Sequence, residues 1–173
     1  MKSNKLNVNY KEGLEPWVDN NSQILILGTM PGDESLEKQS YYCNSRNAFW
    51  KLMENIFPRK GDENHLSNKQ YILSRKIALW DCLKCGERKG SSDSAFSKST
   101  LIPNDLEQFL KQYPSIKTIV LNGNTAEEYF CRYFPNIVVA DYSIIKLIST
   151  SGAAARPFFE KRAEWSKIKD YIK

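Results

Sequence analysis

Residues 41–50 combine aromatic rings, carboxamides and one arginine in a short stretch. Aromatic faces stack on nucleobases, and carboxamides match the hydrogen-bonding edge of a heterocycle. Tyr42 and Asn47 are therefore candidates for contacting a base. The same stretch has a structural interpretation, in which Asn47 caps a helix and Phe49 and Trp50 enter the core. For Phe49 and Trp50 the structural interpretation is favoured, whereas the residue types alone leave both interpretations open for Tyr42 and Asn47.

Three other segments place small or polar residues where a ligand could approach. Residues 28–32 form a Gly-Thr-Met-Pro-Gly turn whose N–H groups could hold a phosphate or a base carbonyl, although it matches neither a Walker loop nor a dinucleotide-binding loop. Asp81 follows an apolar run, and its carboxylate could read a substrate, cap a helix, or pair with Lys84 or Arg88. Residues 149–156 are small and end in an arginine, which suits close approach to DNA or a turn into a helix.

Four apolar stretches each precede a polar segment. If the polar segments form a site, the apolar stretches are the elements that position it. They are rich in Ile, Val and Leu without clean alternation, which is typical of strands buried on both faces of a parallel sheet. They are residues 23–27, 77–80, 116–121 and 144–148. Helical spacing appears between and after them, in residues 49–57, 106–110, 125–134 and 158–172. This alternation predicts an α/β fold, arranged as a three-layer α/β/α sandwich.

Ligands of such a sheet bind beyond the carboxyl ends of its strands, so the polar segments should line one cleft. No repeat or linker divides the chain, and residues 1–173 are expected to form one domain with a loosely ordered segment at residues 1–20. Residues 86–100 are polar, Ser-rich and basic. A loop of that length in a compact domain is often functional.

The composition is that of a globular protein, with 41% hydrophobic and 26% charged residues among 173. The apolar runs are too short to span a bilayer and residues 1–10 show no signal core, so a cytoplasmic protein is expected. A net charge of +5 permits a polyanionic partner without predicting one. Cys82 and Cys85 form a C-x-x-C pair without a second close pair, so ordinary thiols and no metal site are expected.

The single histidine, His65, rules out a credible Ser–His–Asp arrangement, so hydrolysis without a metal or a covalent serine suits the residues best. Taken in order, the segments resemble the uracil-DNA glycosylase superfamily, and most closely its hypoxanthine (deoxyinosine) DNA glycosylase branch. The resemblance runs from about residue 23 to the end, and the ordered series makes it specific. It is carried by residues 24–32 with Ser35, 41–50, 77–83, 87–91 with Asp93 and Ser94, 103–105, 122–123, 125–126 and 149–151.

The resemblance implies a central four-stranded parallel sheet, a flipped-out base and no cofactor. It implies a monofunctional enzyme, expected to be a monomer, that hydrolyses the N-glycosidic bond of hypoxanthine or uracil in DNA. Asn47 would orient the attacking water and Tyr42 would stack on the base. Asp81 falls where relatives place a base-reading side chain, and Met30 stands where other branches carry an acidic water-activating residue. The other expected base contacts are Gly28 and Thr29.

Two loops are expected to contact DNA. The basic loop would bind phosphates on one side of the lesion, so Arg88→Ala should weaken binding to damaged and intact DNA alike; a merely solvated loop predicts no change. The loop at residues 149–156 matches the one that presses into the duplex. The expected DNA contacts are Arg88, Lys89, Ser91, Ser149, Ser151, Gly152 and Arg156.

Two departures from the family pattern leave alternatives open. Asn44-Ser45 stands where the family usually has His-Pro, and residues 151–155 read Ser-Gly-Ala-Ala-Ala instead of Ser-Pro-Ala-Asn-Ala. The second change removes an asparagine from the DNA-wedging loop. The chain could therefore have a different substrate or weak or lost activity. The alternatives are a non-catalytic protein that binds damaged or single-stranded DNA, and a glycosidase acting on nucleosides or RNA.

Overall fold

The structure is a computed structural model that describes residues 9–138 and 141–173. Its strands form two sheets. In chain order they are β1 (Tyr10–Glu12), β2 (Ile24–Gly28), β3 (Ile77–Asp81), β4 (Leu83–Glu87), β5 (Ile102–Pro103), β6 (Thr118–Asn122) and β7 (Ser143–Leu147). The central sheet has the order β3–β2–β6–β7 and all its pairs are parallel. The four predicted strands are confirmed with small shifts in their bounds.

Helices cover both faces of the central sheet. They are α1 (Asp33–Lys38), α2 (Phe49–Ile56), α3 (Asn68–Ser74), α4 (Leu106–Gln112), α5 (Asn124–Tyr133), α6 (Pro135–Val138) and α7 (Phe158–Trp165). Short 3₁₀ turns span Gly61–His65, Asp93–Ala95, Lys98–Thr100 and Ser166–Tyr171. The helical segment predicted at residues 158–172 is therefore divided into α7 and a 3₁₀ turn. No helix within the described ranges is long and apolar enough to cross a membrane.

The two faces of β2 show why the fold has three layers. Successive side chains of a strand point to opposite faces, and here both sets are apolar and fully buried. Ile24 and Ile26 pack with residues of α2, α3 and α7, whereas Leu25 and Leu27 pack with residues of α4, α5 and α6. The predicted three-layer α/β/α sandwich is confirmed.

A second, antiparallel sheet was not predicted from the sequence. It has the order β1–β4–β5 and lies at the start of the basic loop, residues 86–100. β4 takes up residues 83–87, and a bridge between Arg88 and Phe96 then closes the loop, so residues 86–100 are more ordered than expected. The expectation of a loosely ordered N-terminus is wrong for β1 and for Trp17, which exchanges two 2.9 Å backbone hydrogen bonds with Leu79. Residues 1–8 lie outside the described ranges.

Strand register brings the site residues to one edge. Gly28 at the end of β2 is paired with Asp81 at the end of β3, and Asn122 at the end of β6 is paired with Leu147 at the end of β7. The loops that follow all begin at this carboxyl edge, as the parallel arrangement requires.

Candidate active site

The carboxyl edge of the central sheet opens into a cavity of about 690 Å³. The loops after all four central strands line it, together with the loop before α2 and the basic loop. The lining includes most of the predicted site residues: Gly28, Thr29, Met30, Tyr42, Asn47, Asp81, Ser91, Ser149, Ser151 and Gly152. The predicted residues that do not line it are Arg88, Lys89 and Arg156.

Asn47 lies just before α2, and the oxygen of its side-chain amide contacts the start of the helix. Its Oδ1 accepts a hydrogen bond from the backbone N–H of Phe49 at 3.0 Å. Its Nδ2 makes no hydrogen bond to any residue that the structure describes. The next residue, Ala48, donates its N–H to the carbonyl of Thr150 at 2.9 Å, which fixes this loop against the 149–156 loop. The N-cap of α2 is Ala48, so Asn47 holds the first helical N–H from one position before the cap. This contact uses the oxygen only, so a structural role and a role in the cavity are compatible.

Tyr42 presents an aromatic ring to the same cavity. The ring is stacked on Phe49, with centroids 4.0 Å apart and planes 21° apart, so only the opposite ring face can receive a base. Its backbone has a φ of 56°, a left-handed conformation that is uncommon outside glycine. Burial, and to a smaller extent the nearby Asp81, raise the pKa of the hydroxyl, which is therefore neutral.

Asn122 is a site residue whose role the sequence did not reveal. Its Nδ2 donates to the hydroxyls of Tyr42 at 3.3 Å and Thr150 at 2.9 Å, and its Oδ1 accepts from the backbone N–H of Thr150 at 2.9 Å. The amide thus joins three loops of the cavity. The available signal was its place at the end of β6, where a polar residue ends an apolar strand.

Asp81 is 5% exposed, and its Oδ2 has no hydrogen-bond partner in the described structure. Its backbone carbonyl accepts from Asn104 Nδ2 at 2.8 Å. Gly28 is required beside it, because a Cβ on Gly28 would lie 2.5 Å from Asp81 Oδ1. Burial, and secondarily the charge of Asp93, raise the pKa of Asp81 to about 8, while Arg88 acts in the opposite direction.

The predicted phosphate contact by Arg88 is wrong. The residue is 1% exposed, and its guanidinium donates to the carbonyls of Gly90 at 2.9 Å, Met30 at 3.4 Å and Pro31. It also lies 3.7 Å from Asp93 and packs on the ring of Phe96. The alternative in which Asp81 pairs with Lys84 or Arg88 is not observed among the described residues; Arg88 lies closer to Asp93 and Asp33. A side chain committed to these internal partners cannot reach a DNA backbone.

The other predicted DNA contacts lie on the surface or at the rim of the cavity. Lys89 is exposed, and Arg156 is exposed and pairs with Glu160 at 3.2 Å. Ser91 accepts a hydrogen bond from the backbone of Asp33. The 149–156 loop is held from beneath by the buried Lys161, whose Nζ donates to the carbonyl of Ser151 at 3.1 Å. Their contacts with DNA remain predictions.

The four cysteines are free thiols. Cys82 and Cys85 are buried; the Cys82 thiol contacts the carbonyl of Ala126, and Cys85 accepts from the hydroxyl of Tyr10. That this pair consists of ordinary thiols stays a prediction. Within residues 9–138 and 141–173, no group of three His, Cys, Asp or Glu side chains could hold a metal ion.

Comparison with known proteins agrees with this geometry. The family model of the uracil DNA glycosylase superfamily matches residues 15–173. A hypoxanthine DNA glycosylase of Methanosarcina barkeri is 32% identical over 91% of this chain and 96% of its own length. A protein of the same name from Methanosarcina acetivorans is 34% identical over 91% of this chain and 97% of its own.

A solved structure extends the likeness to three dimensions. The solution NMR structure of a protein from Methanosarcina acetivorans, proposed to be a uracil DNA glycosylase, superposes with a TM-score of 0.75. The two sequences are 31% identical, and the match covers 94% of this chain and 98% of the other. On the family match and these relatives together, the chain belongs to the uracil DNA glycosylase superfamily.

Proposed function

We propose that this protein is a monofunctional DNA glycosylase that hydrolyses the N-glycosidic bond of a deaminated base, hypoxanthine or uracil, in DNA. One observation carries the proposal. Asn47, whose amide nitrogen makes no hydrogen bond to the described residues, and Tyr42, whose ring stacks on Phe49 by one face, line the same cavity, which lies where a parallel sheet binds ligands. Membership of the superfamily and the names of the two Methanosarcina relatives support it.

In the proposed reaction the target nucleotide leaves the duplex and its base enters the cavity. Tyr42 stacks on one face of the base, and Asn47 orients a water molecule at the anomeric carbon C1′ of the sugar. The bond from C1′ to the base breaks and its electron pair leaves with the base. The water oxygen bonds to C1′, and the proton that it loses neutralises the departing base anion, so the products are the abasic sugar and the neutral base. The DNA phosphates favour the positive charge that develops on the sugar, and residues and water suffice for this step.

The surroundings of the cavity suggest how DNA is held. The 149–156 loop would press into the duplex, with Ser149, Ser151 and Gly152 at the cavity and Arg156 outside it. Lys89 and Ser91 would contact the backbone from the basic loop. We further propose, from the family resemblance, that the protein acts as a monomer, and we propose that it acts in the cytoplasm.

The proposal is tested with oligonucleotides that carry a single hypoxanthine, uracil or xanthine, followed by alkaline cleavage of abasic sites. We expect strand cleavage with hypoxanthine or uracil. Absence of cleavage with every base, under conditions in which a known glycosylase of the superfamily is active, overturns the proposal. Binding to damaged DNA without cleavage would instead indicate a non-catalytic family member. Faster release of base from free nucleosides or RNA than from DNA would indicate a glycosidase whose substrate is a nucleoside or RNA.

A further inference from the structure

The carboxyl group of Asp81 is the buried polar group of the cavity that lacks a complete set of partners. Its Oδ2 is buried without a hydrogen bond, and the residue lines the cavity. None of the ion pairs within the described ranges involves Asp81. An ionised carboxylate buried without a cation or hydrogen-bond donor is strongly disfavoured, whereas a neutral carboxylic acid tolerates such a place and carries a proton to donate.

The neighbouring charges favour the neutral form of Asp81. Arg88 is the nearby cation, but its guanidinium is hydrogen-bonded to three backbone carbonyls and lies 3.7 Å from Asp93 Oδ1. Asp93 also lines the cavity; burial raises the pKa of its carboxyl group, while the hydroxyl of Thr29 and the guanidinium of Arg88 act in the opposite direction. When two carboxyl groups are close and only one of them has a cation beside it, that one is ionised and the other keeps its proton. Asp93 has the partners of the ionised member, and Asp81 has those of the protonated one.

The other titratable groups that interact with Asp81 do not reverse this assignment. They are the hydroxyls of Tyr41 and Tyr42 and the thiol of Cys82. In each case burial raises the pKa first and Asp81 raises it further, so all three groups are neutral. No countercharge for an ionised Asp81 comes from them.

We infer that Asp81 determines base specificity as a neutral carboxylic acid, donating a hydrogen bond from its carboxyl group to the carbonyl that deamination places on the base. This inference rests on the proposed function. Deamination replaces an amino group, a donor, by a carbonyl oxygen, an acceptor, in both hypoxanthine and uracil. A protonated Asp81 matches that oxygen and stabilises the negative charge that the base acquires as it leaves. An ionised Asp81 would repel both, so Asp93 acts as a positioning residue that keeps the proton on Asp81.

The test uses three variants in single-turnover excision of hypoxanthine and uracil from about pH 6 to about pH 9.5. We expect the wild-type rate to fall about tenfold per pH unit above about pH 8, as Asp81 loses its proton. Asp81→Asn keeps an N–H donor that does not titrate, so it should remain active and lose this alkaline decline. Asp81→Ala has no donor and should be slower by about a hundredfold at every pH. Asp93→Asn should move the decline to lower pH by about one unit.

Infrared spectroscopy supplies a readout that does not depend on turnover. The wild type at neutral pH should show the C=O stretch of a protonated carboxyl group, and Asp81→Asn should lack it. An inactive but folded Asp81→Asn, an alkaline decline shared by wild type and Asp81→Asn, or the absence of the protonated band overturns the inference. In those cases an active wild type leaves the proposed function intact. A wild type that excises no base overturns the proposed function and the donor role with it.

Discussion

Gly152 lies directly against the backbone of Arg46. A Cβ at position 152 would be 2.7 Å from the Arg46 Cβ and 2.8 Å from its carbonyl oxygen. Arg46 follows Asn44-Ser45, so the two departures from the family pattern meet at this contact. The 149–156 loop approaches the Asn47 loop this closely because residue 152 has no side chain.

Gly152→Ala is therefore expected to push the two loops apart and disturb the cavity wall beside Asn47. A displacement of about 1 Å in a positioned group can lower turnover by about a hundredfold, so we expect a large loss of excision. The unfolding midpoint should change little, because the contact is at the surface. Ala155→Ser, an exposed position in the same loop, is the control and should keep full excision. Wild-type excision by Gly152→Ala would show that the close approach is not required.

Asn47 can be divided into its two roles by substitution. Asn47→Ala removes the capping oxygen and the free NH₂ group, so we expect a loss of about 1 kcal/mol in stability and at least a hundredfold in excision. Asn47→Asp keeps an oxygen for the N–H of Phe49 and should fold as stably as the wild type. Thermal unfolding and single-turnover excision should be measured on both variants, with DNA affinity as the check that the substrate still binds.

If Asn47 acts only as a cap, Asn47→Asp should excise at nearly the wild-type rate and Asn47→Ala should lose stability alone. Near wild-type excision by Asn47→Ala would remove this residue from the mechanism and make Asp81 the next candidate.

Arg88→Ala should destabilise the protein rather than weaken DNA binding selectively. It removes the donor to three backbone carbonyls, and a buried polar group left without a partner costs about 1 to 3 kcal/mol, so we expect a loss of about 2 kcal/mol or more. Urea unfolding measures this loss. Lys89→Ala is the matched control from the exposed neighbouring position. It should leave stability unchanged and reduce the slope of log affinity against log salt by about one. A stable Arg88→Ala variant with a lower salt slope would contradict the structure.

Asp81 also makes stability depend on pH. Its pKa is about 8 in the fold against an ordinary value of 3.8, so folding favours the protonated form. The wild type should therefore lose stability relative to Asp81→Asn as pH rises through the window between these two values. At alkaline pH the variant should be more stable by a few kcal/mol, and at about pH 4 the two should be equal. Urea unfolding at several pH values tests this; a difference that does not change with pH would show that Asp81 is ionised in the fold.

The central sheet could be predicted from the sequence because its strands are continuous apolar runs. β2 is buried at every position, as its continuous apolar sequence predicts for a central strand. The antiparallel sheet could not be predicted, since β1 is Tyr-Lys-Glu and β5 has only two residues. These two strands are held by backbone hydrogen bonds to β4, and the pattern of side chains along the sequence does not predict such pairing.

The site could be predicted only in part, for a related reason. Asn47 and Asp81 stand out because polar residues adjoin apolar runs. The burial of Arg88 has no local signal, since its partners include a carbonyl 57 positions away and its sequence neighbours are polar. The role of Asn122 depends in the same way on Tyr42, 80 positions distant.

The amide of Asn122 also constrains how the protein matures. It ties Tyr42, in the first third of the chain, to residues 122 and 150 in the last third, so its contacts have high sequence separation and close large loops. During synthesis Thr150 leaves the ribosome after Tyr42 and Asn122, and until then the amide of Asn122 lacks both of its hydrogen bonds with Thr150. Catalytic competence should therefore appear as one of the last events of folding, and a nascent chain that has already formed β2, β3 and β6 would still be unable to act on DNA.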